Sequence, residues 1–144
     1  VKNTPYIYTS NNNNKHTNKM STKVNFTSYG VQFKNIEING DCYDQGISYY
    51  TTNRGRNALV KQYVKALYGV KCSVQTNSFR SIDIDIKAED IPADLHATAK
   101  ADLKKVFSSG TYNAMEDYHD YKAVAIEKEH RIDCSVNFLR VSFI

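Results

Sequence analysis

The sequence predicts an α+β fold: an antiparallel sheet of about four to six strands with two helices packed on one face. Three observations lead there. Apolar residues recur at helical spacing in two stretches, Leu59–Leu67 and Leu95–Phe107, each flanked by capping signals. Two runs between them, Val70–Val74 and Ile82–Ile86, alternate strictly, as half-buried antiparallel strands do. The 144 residues are 41% hydrophobic and 24% charged, which suits one globular domain able to bury about two thirds of its unfolded surface.

Taken in order, residues 1–22 read as a flexible polar tail. Asn11, Asn12, Asn13 and Asn14 sit among Thr, Ser and Lys, and few side chains there can form a core. Pro5-Tyr-Ile-Tyr8 is the exception, a fragment able to add a strand to a sheet edge. The folded domain, residues 23–144, opens with Val24 and Phe26 alternating, then Val31 and Phe33, then Ile36 and Ile38. The phase slips by one between Phe33 and Ile36, which predicts a β-bulge or two short strands. Asn39-Gly-Asp41 predicts a tight turn, with Cys42–Tyr50 returning as the second strand of a hairpin.

For the first helix, Thr52 or Asn53 is the cap, and Leu59, Val60, Tyr63, Val64 and Leu67 form the buried stripe. Gly69 stands where a left-handed terminal residue is wanted. For the second, Asp90 is the cap, Pro92 suits the first turn, and Asp94 complements the helix dipole. Leu95, Ala99, Leu103, Val106 and Phe107 form its stripe, and Gly110 stops it. Further on, Val124 and Ile126 predict a short strand, and Ile132, Cys134, Val136 and Phe138 another. The run Leu139–Ile144 reads as a buried strand, or else as an exposed edge or an oligomer contact.

Net charge is +4 with a pI near 8.9, and it is uneven: residues 1–71 hold ten Lys/Arg against three acids, residues 72–144 nine against twelve. A basic front half suits phosphate or an acidic protein face. Lys2, Lys15, Lys19 and Lys23 belong to the tail region, where they also serve solubility. Arg54, Lys61 and Lys65 fall opposite the apolar stripe of the first helix, with Arg56 near its start. They make either a solvated face or a nucleic-acid-binding stripe that the tail would extend. Cys42, Cys72 and Cys134 are odd in number and far apart, which argues against a disulfide framework and a structural zinc site and fits a reducing cytoplasm. No secretory segment and no apolar run near eighteen residues is present.

Sites of chemistry are few. Asp83 and Asp85 share a strand face and are candidates for a divalent cation and a metal-dependent nuclease. Pairing with Lys71 across the hairpin, or plain solvation, accounts for them as well. Asp117, His119 and Asp120 have spacing that converges poorly on a metal. His16, His96, His119 and His130 accompany no recognisable nucleophile motif, and no catalytic residue, metal or cofactor is assigned. The Tyr-rich turn after the second helix is the candidate partner-binding surface: Tyr112, Met115, Tyr118 and Tyr121 interleave with Glu116, Asp117 and Asp120. Aromatic residues and Met favour interfaces, although the same side chains also serve to cover one end of a sheet.

One family pattern runs through the segment 53–121. Gly69-Val-Lys-Cys-Ser-Val74, Ser81-Ile-Asp-Ile84 and Phe107-Ser-Ser-Gly-Thr-Tyr-Asn-Ala-Met-Glu-Asp-Tyr-His-Asp-Tyr121 follow a helix in order. In this the chain resembles one of the large polyvalent protein-associated domains of phages and conjugative elements. Cys72 replaces the family's aromatic residue, and Asn113-Ala114 replaces its Asp-Gly. The Trp-Thr-Asp-Gly that follows the family's second strand is missing. The resemblance implies residence on a mobile genetic element and no catalytic residues. It leads us to expect a phage-type accessory protein in the cytoplasm of the infected host cell. Such a protein would act by binding a host or phage protein, in the manner of an anti-CRISPR or anti-restriction inhibitor. A nucleic-acid-binding module is the alternative expectation.

Overall fold

The computed structural model describes residues 6–7, 21–39, 49–78, 80–109, 111–113, 115, 118–120 and 124–144. In chain order the elements are β1 (Tyr6–Ile7), β2 (Ser21–Ser28), β3 (Val31–Asn39), β4 (Tyr49–Tyr50), α1 (Asn53–Tyr68), β5 (Cys72–Ser78) and β6 (Ser81–Ile86). Two short 3-10 turns, Ala88–Asp90 and Ala93–Leu95, lead into α2 (His96–Phe107). Then come β7 (Thr111–Asn113), β8 (Tyr118–Asp120), α3 (Ala125–His130), β9 (Ile132–Asp133) and β10 (Phe138–Phe143). The protein is α+β. Its strands are divided among small sheets of two or three, ordered β1-β2-β3, β10-β6-β5, β4-β9 and β7-β8.

Two of these pairings, β10 with β6 and β4 with β9, are parallel, where the alternation alone led to an antiparallel expectation. Alternation reports which face is buried and says nothing of strand direction. The connection from β6 to β10 runs through α2 and α3, which is long enough for a parallel return.

β2 and β3 form an antiparallel hairpin, and β1 adds to the outer edge of β2, the role foreseen for Pro5–Tyr8. Its turn is Tyr29-Gly30, both left-handed at φ 55° and 74°, which matches the twist of the flanking strands. Tyr at the first left-handed position hides this turn from sequence reading. Asn35 is also left-handed, at φ 57°, and its N–H donates to Asn25 Oδ1 at 2.8 Å. This is the bulge that the phase slip predicts, and through it Phe33 and Ile36 both become fully buried. Of the expected return of the chain onto β3, the described residues show an antiparallel bridge between Ile38 and Thr51. Residues 40–48 lie outside the described residues.

α1 is capped as expected. Thr52 Oγ1 accepts the Gly55 N–H at 2.9 Å, and Gly69, at φ 70°, donates its N–H to the Lys65 carbonyl at 2.9 Å. Leu59, Val60, Tyr63 and Val64 are buried against β3 and β5, each aliphatic one contributing roughly 1.5–3 kcal/mol of transfer free energy. Leu67, assigned to that stripe, is 47% exposed. Arg56 takes a place on the buried face instead.

α2 departs from expectation at its start. It follows the 3-10 turns with no side-chain cap, so Asp90 does not cap it, and Leu95 is exposed. His96 closes this corner: its Nε2–H donates to the Ile91 carbonyl at 2.8 Å, and its ring stacks on Phe143 at 3.9 Å. Ala99, Leu103, Val106 and Phe107 are buried as expected. Gly110 lies outside the described residues. Val124 and Ile126 are buried but begin α3 in place of a strand, with Arg131 at φ 61° ending it. Ile132 to Val136 are all buried, polar residues included, so strand alternation breaks there.

Candidate nucleic-acid interface

The basic residues of α1 divide between two environments. Arg54, Lys61 and Lys65 are exposed, the Arg54 side chain to 87%, with its Nε 3.8 Å from Glu37 Oε1. Arg56 corrects the sequence reading. It is only 2% exposed, and its Nη2 donates to Asn53 Oδ1 at 3.2 Å. It lies close enough to Asp133 and Arg80 to feel both charges, and burial lowers its pKa from the ordinary arginine value. Spacing explains this placement: Arg56 precedes Leu59, Val60, Tyr63 and Val64 at helical intervals on the buried face. It is an interior cation, not a surface contact.

The other lysines of α1 belong to a larger feature. A groove of about 820 Å³ opens between β3, α1 and β5, lined by Lys34, Lys61, Lys65 and Lys71, with no carboxylate among the described residues that line it. Its apolar surface comes from Val31, Ala66, Val70 and Cys72. Gln62 fixes one wall: its Nε2 donates to the Lys34 carbonyl and its Oε1 accepts the Lys34 N–H, both at 2.9 Å. The amide side chain thus completes the edge of β3 as a strand would. A second cavity of about 490 Å³ shares Lys65, Val70, Lys71 and Cys72 and adds Lys87, Asp85 and Asp90.

Sequence reasoning named Lys61 and Lys65 and missed Lys34 and Lys71. Lys34 lies on β3 and Lys71 immediately before β5, and only the packing of β3 and β5 on either side of α1 brings them to one groove. Cys72 is half-buried there, and burial pushes its thiol up to about 11 despite the nearby Lys61. It is a neutral part of the groove surface at ordinary pH.

The remaining candidates separate. On the outer face of β6, Asp83 accepts a bond from Arg140 Nη2 at 3.3 Å; Asn77 and Arg140 hold its carboxyl below the ordinary carboxylate range. Its partners are therefore Asn77 on β5 and Arg140 on β10, and the hairpin register sets Gln75, not Lys71, directly opposite it. Among the described residues no group of three or more His, Cys, Asp or Glu is placed to hold a metal ion. The Tyr-rich turn contains the short antiparallel hairpin β7–β8, pairing Tyr112 with His119 and Asn113 with Tyr118. Met115, between these strands, is 91% exposed. Glu116, Asp117, Tyr121, His16 and Cys42 lie outside the described residues. His130 holds a structural position, its Nε2–H donating to the Thr27 carbonyl at 2.8 Å.

Among the described residues no helix is long and apolar enough to cross a membrane. Comparison with protein-family models, with curated proteins and with solved structures found no match.

Proposed function

We propose that the protein works by binding, and that the lysine-lined groove between β3, α1 and β5 takes the backbone of a single-stranded nucleic acid. The observation that carries this reading is the convergence of Lys34, Lys61, Lys65 and Lys71 on one concavity with no carboxylate among the described residues of its lining. Lysine is a compact point charge suited to phosphate, and the apolar surface between the four offers contact to bases or sugars. At about 820 Å³ the groove has the size of a small-molecule pocket, which favours one extended strand over a duplex. The sequence resemblance adds a setting to this reading: an accessory protein of a phage or conjugative element, acting in the host cytoplasm against a defence system.

The test is anisotropy of a labelled oligothymidylate titrated at several salt concentrations. Three or four phosphate contacts predict a log–log slope of about −2 to −3. Reversing Lys61 and Lys65 together to Glu removes most of the affinity and flattens the slope. Affinity that ignores salt, or that survives the double reversal, overturns the reading.

The exposure of Met115 favours a second reading, in which the Tyr-rich turn docks on a host or phage protein through Tyr112, Met115 and Tyr118. There a Met115→Glu variant loses a stoichiometric partner that the wild type retains through gel filtration, while the groove variants keep it.

A further inference from the structure

The groove does not use the run Leu139–Ile144, which includes most of β10. β10 pairs with β6 on one side, and among the described residues no strand pairs with its other side. Phe138 and Ile144 donate their N–H groups to the carbonyls of Arg80 and Ile86 at 3.1 and 2.9 Å, and Ile144 accepts from Ala88 at 2.8 Å. Even-numbered residues therefore turn their backbone groups toward β6. By strand alternation Leu139, Val141 and Phe143 turn theirs toward the open edge. The outer face of this strand carries Phe138 at 52% exposure, Arg140, Ser142 and then Ile144 at 71%.

We propose that β10 pairs edge to edge with β10 of a second copy, antiparallel and centred on Val141, merging two three-stranded sheets into one. The register follows from the strand itself. Outward backbone groups meet outward groups when the two-fold axis passes through a residue and not between two; an axis on Arg140 sets two arginines opposite each other, whereas Val141 is the centre that pairs the whole run Phe138–Ile144. Leu139 then faces Phe143 of the second copy and Val141 faces its own equivalent, each pair exchanging both backbone hydrogen bonds. On the outer face Phe138 covers Ile144 of the second copy, and Arg140 faces Ser142, so no like charges stand directly opposite. The edge carries no Pro and no Lys, the residues that commonly blunt one. Lys100 and Lys104 of α2 line a cavity of about 570 Å³ along β10, and pairing brings them toward their equivalents in the second copy. Salt screens that repulsion, so the dimer tightens as salt rises, the reverse of nucleic-acid binding.

Sedimentation of the full chain over a range of concentrations tests this. The expected result is a reversible monomer–dimer equilibrium whose Kd falls with added salt. Ser142→Lys sets two like-charged pairs across the axis and raises Kd by roughly threefold to tenfold, whereas Ser142→Glu lowers it by a similar factor. Ser142 is half-exposed, and a circular-dichroism melt of each variant establishes that it is folded. A chain that stays monomeric at the highest concentration reached overturns the proposal. So does a dimer that loosens with salt, or one indifferent to both substitutions.

Discussion

Glycine is usually a weak choice inside a helix, costing about 1 kcal/mol relative to Ala, yet Gly55 stands in the first turn of α1. The reason lies on β3. A Cβ at this position would overlap the Glu37 carbonyl, the same oxygen that accepts the Thr52 N–H at 3.1 Å. Glu37 Oε1 in turn accepts from Thr52 Oγ1 at 2.9 Å, so the helix start and the strand are locked face to face. Gly55→Ala should therefore reverse the usual sign and destabilise by about 1–3 kcal/mol, the cost of overpacking, measured by urea unfolding. A variant as stable as wild type would mean that α1 is able to lift from β3 at little cost. The caps of α1, Thr52 and Gly69, were legible in sequence because their chemistry is local. Gly55 and Arg56 were not, because what constrains each of them lies elsewhere in the chain.

Between elements, the tie from α1 to α2 is polar and specific. Tyr63 and Tyr68 both donate to Asp102 Oδ2, at 2.7 and 2.8 Å. Sequence reading placed Tyr63 on the apolar stripe, correctly for its ring, but an apolar pattern carries no information about where a phenol's oxygen goes. Burial first, then the bond to the Asp102 carboxylate, raises both phenols, Tyr68 up to about 12. A phenol raised in the folded state from its usual value of about 10 stabilises the fold fully at lower pH, and that stability is lost as pH climbs from about 10 toward the folded value. Stability should thus decline across the window from about 10 to 12, and ultraviolet titration should show late-ionising tyrosines. Asp102→Asn removes the charge that helps hold the protons, so the late phase should move to lower pH, with about 1–3 kcal/mol lost near neutrality. An unchanged titration would show that burial alone sets both values. The helices were legible from periodicity, whereas their mutual fastening depends on two side chains of α1 meeting one of α2.

At the scale of the molecule, small sheets must be joined, and the seam runs through Asp133 on β9. Its carboxylate, 6% exposed, accepts from Arg80 Nη2 at 3.0 Å, from Ser135 N–H at 3.0 Å and from Ser135 Oγ at 2.8 Å. Its main-chain carbonyl accepts the Thr51 N–H at 3.1 Å beside β4. Arg80, between β5 and β6, also donates to the Ser135 carbonyl at 2.9 Å and accepts main-chain bonds from Asn137 and Phe138 at the entry to β10. Periodicity read Ile132–Phe138 as an ordinary alternating strand because charge on an inward position looks like an interruption. In the fold that inward carboxylate is the junction among β4, β9 and the β5–β6–β10 sheet. The two partners should not be equivalent. Removing Arg80, whose side chain is 30% exposed, leaves Asp133 with both Ser135 bonds and the nearby charge of Arg56, so Arg80→Ala should cost about 1–2 kcal/mol. Removing the carboxylate takes a favourable charge from buried Arg56 and the bonded acceptor from Arg80 and Ser135 together, so Asp133→Ala should cost about 3–5 kcal/mol. Unfolding followed by far- and near-ultraviolet circular dichroism should remain one transition in wild type. In Asp133→Ala the near-ultraviolet signal should melt first as the sheets part. Equal losses from the two substitutions would place the energy in the ion pair alone and remove Arg56 from the account of the seam.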